Sequence, residues 1–308
     1  MEKILILSST LKEVIWGGDY FKKELKLTES DAKYGEMWSC SGHPGGLSCV
    51  LNGKFKGMPL NKVFKENRHL FNNSTLNEFP ILVKVIATSD RLSVQVHPDD
   101  EYAQKNENQY GKTEGWLILE AKDTSSIVLG HNAKNKEELI EYVNNDNFDG
   151  LLKTRHVKKG EFYPIPSGTI HALGSDLVLL EIQQSSDVTY RFYDYHRKDA
   201  SGKERQLHIQ QAIDVTDYAA YKEKIINCFE QESTTMWDNQ FFTIYYQEIK
   251  NYFTINNNNN YCIVSVIDGE IKVLDHIIKK GESFIVTSST NSIELVGNGK
   301  VVITYSKQ

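Results

Sequence analysis

The sequence predicts a mainly β protein, a β-sandwich or jelly roll organised as two related barrels with a few inserted helices. Three observations carry this. Short runs rich in Val, Ile, Tyr and Phe (SIVLG, EFYPIP, LVLLEIQQ, TYRFYDY, FTIYYQE, CIVSVID, VVITY) recur between Gly, Asn and Asp turns. Residues 157–173 (VKKGEFYPIPSGTIHAL) align without gaps, for most of their length, on 278–295 (IKKGESFIVTSSTNSIEL), each reading basic, Gly-Glu, strand, polar turn. Apolar residues fall at helical three- and four-residue intervals in only four segments, 60–71, 99–106, 136–153 and 208–216.

Taken in chain order, the first apolar patch covers only residues 4–7, too short for a signal peptide or a membrane span, so a cytoplasmic protein is expected. In LSVQVHPDD, residues 92–100, alternation puts Leu92, Val94 and Val96 on one face and Ser93, Gln95 and His97 on the other. A purely structural strand has no need of that second face. Pro98 and Asp99 then read as a helix start, with Asp99 as the cap. After AIDVTDYAAYKEK the composition turns polar (INCFEQESTTMWDNQ), a linker or irregular crossover, so the domains are set at 1–230 and 231–308. In the second domain, YCIVSVIDGEIKVL reads as a hairpin turning at Asp268-Gly269, and the Asn run 256–260 as a solvated hairpin loop. The repeat sets His171 against Ser292, so the second barrel has lost whatever His171 does and is expected to be structural.

Composition narrows the function. A chain of 308 residues, with a formal charge of −6 and no clustered basic face, is not built to bind nucleic acid. Four scattered cysteines without CxxC spacing imply buried thiols, neither a disulfide framework nor a Cys-ligated zinc. A metal would therefore be held by His, carboxylate and amide groups. Gln95, His97, Glu114 in GKTEGW and His171 in IPSGTIHALG make a plausible set for Zn²⁺ with an open position for substrate or water. Ser93 shares the inward face and could touch a ligand, although a hydroxyl satisfying a neighbouring backbone group explains it as well.

Several long motifs in order, VIWGG, GEMWSCSGHPGG, LVKVIATSDRLSVQVHPDDEYA, GKTEGWLIL and IPSGTIHALGSDLVLLEIQQSSDVTYRFYDYHR, resemble the type I mannose-6-phosphate isomerases, in particular their short bacterial form. The resemblance covers most of residues 1–215. It implies a cupin fold with a reduced helical insertion, and one Zn²⁺ per chain held by Gln95, His97, Glu114 and His171. It also implies an active-site arginine at Arg191, lysines at Lys84 and Lys112, and an acidic residue at Glu181. The implied reaction interconverts mannose 6-phosphate and fructose 6-phosphate through an enediol, with Glu181 or Lys112 favoured as the base. Arg191, with Arg197 or Lys198 nearby, would meet the phosphate, and Arg191 could equally stabilise the enediolate. The partner is then a small sugar phosphate, the chain a monomer or weak homo-oligomer.

Other readings are weighed beside this one. A cupin that binds metal and sugar phosphate without turnover would lack a ligand or Arg191, and none is missing. An iron oxygenase would prefer an open two-His, one-carboxylate triad to a set completed by Gln95. Trp16, Gly17, Gly18, Glu36 and Trp38 are expected to shape the barrel wall. Tyr190, Phe192, Tyr193 and Tyr195 are expected to be core and not a sugar platform.

Overall fold

The structure, a computed structural model, describes residues 2–198 and 202–307. Three antiparallel sheets organise it. One contains seven strands in the lateral order Thr10–Gly18, Tyr34–Cys40, Ile81–Thr88, Leu177–Gln184, Glu114–Ala121, Glu161–Ile165 and Ile226–Asn227. Five strands face it: Leu152–His156, Ser126–His131, His171–Leu173, Val94–Val96 and Tyr190–Tyr193. The third sheet, of seven strands, is built almost entirely from residues beyond 232, with the strand Ile4–Ile6 paired on Ser283–Val286. A division at residue 230 is therefore crossed by the first strand of the chain.

Alternation along each strand sorts the side chains into layers. Between the first two sheets, one end of the lumen is an apolar floor of Ile86, Ile118, Leu129, Tyr163, Leu173 and Leu179. On the outer face of the five-stranded sheet, Val94, Val96, Tyr190 and Phe192 pack under the helices that supply Leu139, Phe148, Ala212 and Ile213. Leu92 precedes the Val94–Val96 strand, escapes its alternation, and packs in the floor instead. Met37, Val83, Val85, Leu117 and Leu180, on the outer face of the first sheet, meet Ile244, Ile263 and Ile285 of the third. Phe64, Phe71 and Phe79 join Tyr261 there in edge-on ring contacts, Phe71 to Tyr261 at 5.4 Å. Such pairs add about 0.5–1.5 kcal/mol each beyond area burial.

The helices lie where their apolar periodicity puts them, shortened by local chemistry. Leu60–Glu66 gives way to a 3₁₀ turn at Arg68–Leu70. Asp100–Glu107 starts at Asp99, whose carboxylate accepts from Tyr102 N at 2.9 Å, and ends at Asn108 in the left-handed region. Ile209–Val215 is as expected. The 136–153 segment is not one helix. Lys136–Asn144 stops before Asp146 at φ +52°, Asn147 caps a single turn at Phe148–Leu151, and Leu152–His156 leaves as an edge strand. Asp146 in the left-handed region and Asn147, whose side chain accepts from Gly150 N, interrupt a long helix there.

Three expectations for the second half are corrected. Asp268-Gly269 does not turn a hairpin: Cys262–Val273 is one strand, bulged at Ile267 against Ser292–Ser306, and Gly269, at φ +69°, follows the bulge in pairing with Gly299. A Cβ at Gly269 would stand 2.5 Å from Asn298 O, which leaves only glycine there. The reversal comes later, at Leu274-Asp275, with Val273 paired to His276. Residues 256–260 form no hairpin loop either, because the two strands they join flank Ser292–Ser306 on opposite sides. Asn257 is 1% exposed and its amide donates to Thr287 O at 2.9 Å, which pins the loop inward. The polar crossover near 230 is ordered into strand Ile226–Asn227, a turn at Cys228–Glu230 and strand Ser233–Asp238.

The repeat is real in three dimensions. Gly160 and Gly281 share φ near +90°, at +89° and +91°. Glu161 and Glu282 each accept from the backbone N–H three residues earlier, at 2.7 Å in both copies. Cys40, Cys228 and Cys262 are buried and Cys49 partly so, all four free thiols. No helix among the described residues is long and apolar enough to cross a membrane.

Candidate metal centre and catalytic pocket

Above the apolar floor the lumen turns polar, and the register shows why. His171 is paired with Gln95 across two antiparallel strands, and Gln95 with Arg191 on its other side. On the facing sheet Gln183 is paired with Glu114, and Glu181 with both Trp116 and Lys84. Directly opposed residues project to one side, so three strand pairings deliver Gln95, His171, Glu114, Glu181 and Lys84 to the space between the two sheets.

His97, Glu114 and His171 are wholly buried, and their ligand atoms lie within 4.8 Å of one another. Glu114 Oε1 is 3.3 Å from His171 Nε2, and Oε2 is 3.6 Å from His97 Nε2. Each imidazole donates from Nδ1 to a backbone carbonyl at 2.8 Å, His97 to Val188 and His171 to Thr169. That fixes the tautomer and leaves both Nε2 lone pairs aimed at Glu114. Burial pushes the His171 pKa down to about 4, and burial followed by the Lys112 charge takes His97 well below its ordinary value. Both rings are therefore neutral, the form that binds a metal.

Glu114 is pushed up to about 7, first by burial and then by the Glu181 charge. Neither of its buried oxygens has a hydrogen bond of good geometry. Lys112 Nζ stands 3.0 Å from Glu114 Oε2 and 3.2 Å from His97 Nε2, placing positive charge where those lone pairs call for it. The Gln95 amide nitrogen is 3.3 Å from His171 Nε2, and a half-turn of the amide offers its oxygen at the same point. An orphaned carboxylate, two oriented neutral imidazoles and an amide form a donor set that fits a borderline divalent cation.

Beside this centre, Lys84 Nζ is 3.2 Å from Glu181 Oε1 and 3.6 Å from Glu36 Oε2. Burial alone would lower the lysine pKa, but the two carboxylates outweigh it and hold Lys84 charged. Burial alone would raise that of Glu181, but Lys84 and Lys112 outweigh it and keep the carboxylate ionised. Trp116 Nε1 donates to Glu181 Oε2 at 2.9 Å, while its ring meets His171 edge-on at 5.3 Å. Trp116, Glu36 and Trp38 thus touch the buried charges Lys84 and Glu181 directly. Trp38 donates to Glu36 at 2.7 Å, and its ring lies 5.1 Å from Lys84 Nζ. The alternation of GEMWSC, a carboxylate and an indole two apart on one strand face, is the signal that marks Glu36 and Trp38.

The arginine side chains make their hydrogen bonds to groups outside the ion cluster. Arg191 Nε donates to Ser93 Oγ at 3.3 Å and Nη1 to Gln206 O at 2.8 Å. Arg197 is bound to Asp194 at 2.5 Å and 3.5 Å from Asp90, and Arg205 shares Asp194 at 2.7 Å. Lys198 is exposed and bridges Glu204 through the backbone. Tyr190 and Phe192 are core, whereas Tyr193 and Tyr195 are only half-buried against it.

A β-barrel with a carboxylate–imidazole metal site, flanked by an ionised carboxylate and a charged lysine in one cavity, is the equipment of a metalloenzyme. Residues 4–116 match the catalytic domain of phosphomannose isomerase type I, and residues 232–306 the mannose-6-phosphate isomerase cupin domain. The chain is 38% identical to the mannose-6-phosphate isomerase of Streptococcus mutans over the whole of both proteins. It is 35% identical to mannose-6-phosphate isomerase ManA of Bacillus subtilis over 98% of each. A crystal structure of the mannose 6-phosphate isomerase from Bacillus subtilis superposes with a TM-score of 0.88 at 33% identity, covering 98% of this chain and 99% of that one. The chain belongs to the mannose-6-phosphate isomerase family. A zinc-bound mannose 6-phosphate isomerase shares the fold, at a TM-score of 0.75 and 14% identity over the full length of both chains.

Proposed function

We propose that this enzyme interconverts mannose 6-phosphate and fructose 6-phosphate through an enediol, in the cytoplasm, with one Zn²⁺ per chain held by Gln95, His97, Glu114 and His171. The observation that carries the reading is Glu114: a wholly buried carboxylate whose one close cation is Lys112, facing two imidazole lone pairs, beside the ionised Glu181. Zinc bound there supplies Lewis-acid polarisation of the sugar oxygens. The chain's own groups move the proton. Glu181 Oε1 takes it from C2 of the open-chain aldose and returns it to C1, giving the ketose. Its low pKa keeps it in the accepting form, and Lys84 and Trp116 fix its direction. Lys112, its ammonium beside the ligand cluster, gives a proton to the C1 oxygen as that oxygen gains negative charge and takes one back from the C2 hydroxyl as it becomes the ketose carbonyl. Arg191, with Ser93 beside it, meets the phosphate or the enediolate, whereas Arg197 is held by Asp194.

The test is a coupled assay of fructose 6-phosphate from mannose 6-phosphate deuterated at C2, run in ordinary water. Formation of the ketose with loss of some deuterium to solvent supports a base-carried proton. Tight sugar-phosphate binding without turnover would replace this reading by that of a non-catalytic binding protein. Complete retention of the label would point to direct hydride transfer.

A further inference from the structure

The C-terminal sheet carries a second cavity, far in composition from the first. It is an open cleft of about 740 Å³, within the size range of small-molecule sites. It lies where the apolar interior of this barrel, with Ile249, Ile255 and Ile303 among its buried residues, comes to the surface. Tyr245 and Tyr305 stand edge-on at 5.9 Å along it, joined by the half-buried Phe253. Tyr245 is 37% exposed, an aromatic face offered to solvent. Polar groups ring the aromatics: Thr235 is register-paired with Tyr245 and Ser233 with Gln247 on the edge strand. Asn256, at the other end, is paired with Ser292, the residue that the repeat sets in the place of His171.

Charge decides what such a cleft can hold. A quarter of the chain is charged, yet none of the described residues lining the cleft is. A phosphate or carboxylate would find no cation there, and a metal no anionic donor. Aromatic faces beside hydroxyls and amides suit a neutral ligand with an apolar face and many hydroxyls.

We propose that the C-terminal barrel is a metal-free binding site for an unphosphorylated sugar, separate from the isomerase pocket. The repeat has serine where the first copy has the metal-site histidine, and the cleft that begins at the strand partner of that serine, Asn256, is neutral. The proposal does not depend on the catalytic reading.

Saturation-transfer NMR on the full-length enzyme, with D-mannose and β-1,4-mannobiose as probes at millimolar concentration, tests it in the presence of saturating mannose 6-phosphate. Transfer to at least one probe is expected, weakened roughly tenfold or more in Tyr245→Ala and in Thr235→Arg. Both residues are exposed, so melting temperature and kcat/KM should stay at the parent values. Thr235→Arg, which puts a cation into the cleft without removing a ring, keeps the test decisive should Tyr245→Ala fold poorly. No transfer to either probe overturns the proposal, as does transfer that both variants leave intact or that mannose 6-phosphate displaces. A dimer that Thr235→Arg dissociates, with no sugar bound, would make the cleft a self-association surface and overturn it too.

Discussion

Glu181 and Lys84 face each other across two adjacent antiparallel strands, 3.2 Å apart and almost wholly shielded from water. Two charges are tolerated at that depth because each answers the other, with Glu36 and Trp116 taking up remaining bonding capacity. Lys84→Met takes the nearest cation from the buried Glu181 and the partly buried Glu36 and should cost about 3–5 kcal/mol of stability. The double variant Lys84→Met/Glu181→Gln should recover part of this, with a coupling of about 1–3 kcal/mol in a urea-unfolding cycle. Strict additivity would mean that the pair is not an energetic unit.

The Glu114 carboxyl makes metal affinity depend on pH. Its pKa of about 7 in the metal-free protein lies above the ordinary 4.5. A cation must displace that proton, while His171 takes one up only near pH 4. Zinc affinity should therefore fall about tenfold per unit as pH drops from 7 towards 5. In the metal-free protein the sign for stability is opposite to that of most carboxylates. The folded state holds the extra proton between the two pKa values, so this contribution is complete below about pH 4.5 and is lost as pH rises through about 7. Calorimetric zinc titrations and melting curves of the chelated protein across that window check both signs.

Arg191→Lys separates two roles. Loss of a planar donor that acts only in the transition state lowers kcat with little change in KM, whereas loss of a ground-state phosphate contact raises KM alone. The strand pairing of Arg191 with Gln95 favours the first outcome, with a fall in kcat of about a hundredfold.

Arg197 should behave differently. Its guanidinium is spent on Asp194, Asp90 and the Arg91 carbonyl. Arg197→Ala is expected to lower stability by about 1–3 kcal/mol and to leave KM for mannose 6-phosphate nearly unchanged. A large rise in KM at unchanged stability would instead make it a phosphate ligand.

Much of this was legible in the residues. Period-two patterning located strands such as Leu177–Gln184, and the Gly-Glu turns of the repeat revealed the second barrel. The Asp99 cap and the inward polar face of Gln95 and His97 could be read directly. What was hidden depended on strand order. That Ile4–Ile6 would join the last sheet, or that Ser292–Ser306 would separate the strands joined by the Asn run, follows from long-range pairing. Glu36 and Trp38 look like wall residues until the register sets Trp38 against Lys84 and brings Glu36 within reach of it. The neutral cleft was invisible for the same reason, since its lining comes from segments far apart in the chain.

Metal content and isomerase activity, followed together on one preparation through chelation and reloading, test the central claim most directly. One equivalent of zinc per chain, activity that disappears with it and returns on adding it back, and the loss of both in His171→Ala are the expected results. Full turnover by protein freed of all metal would contradict it.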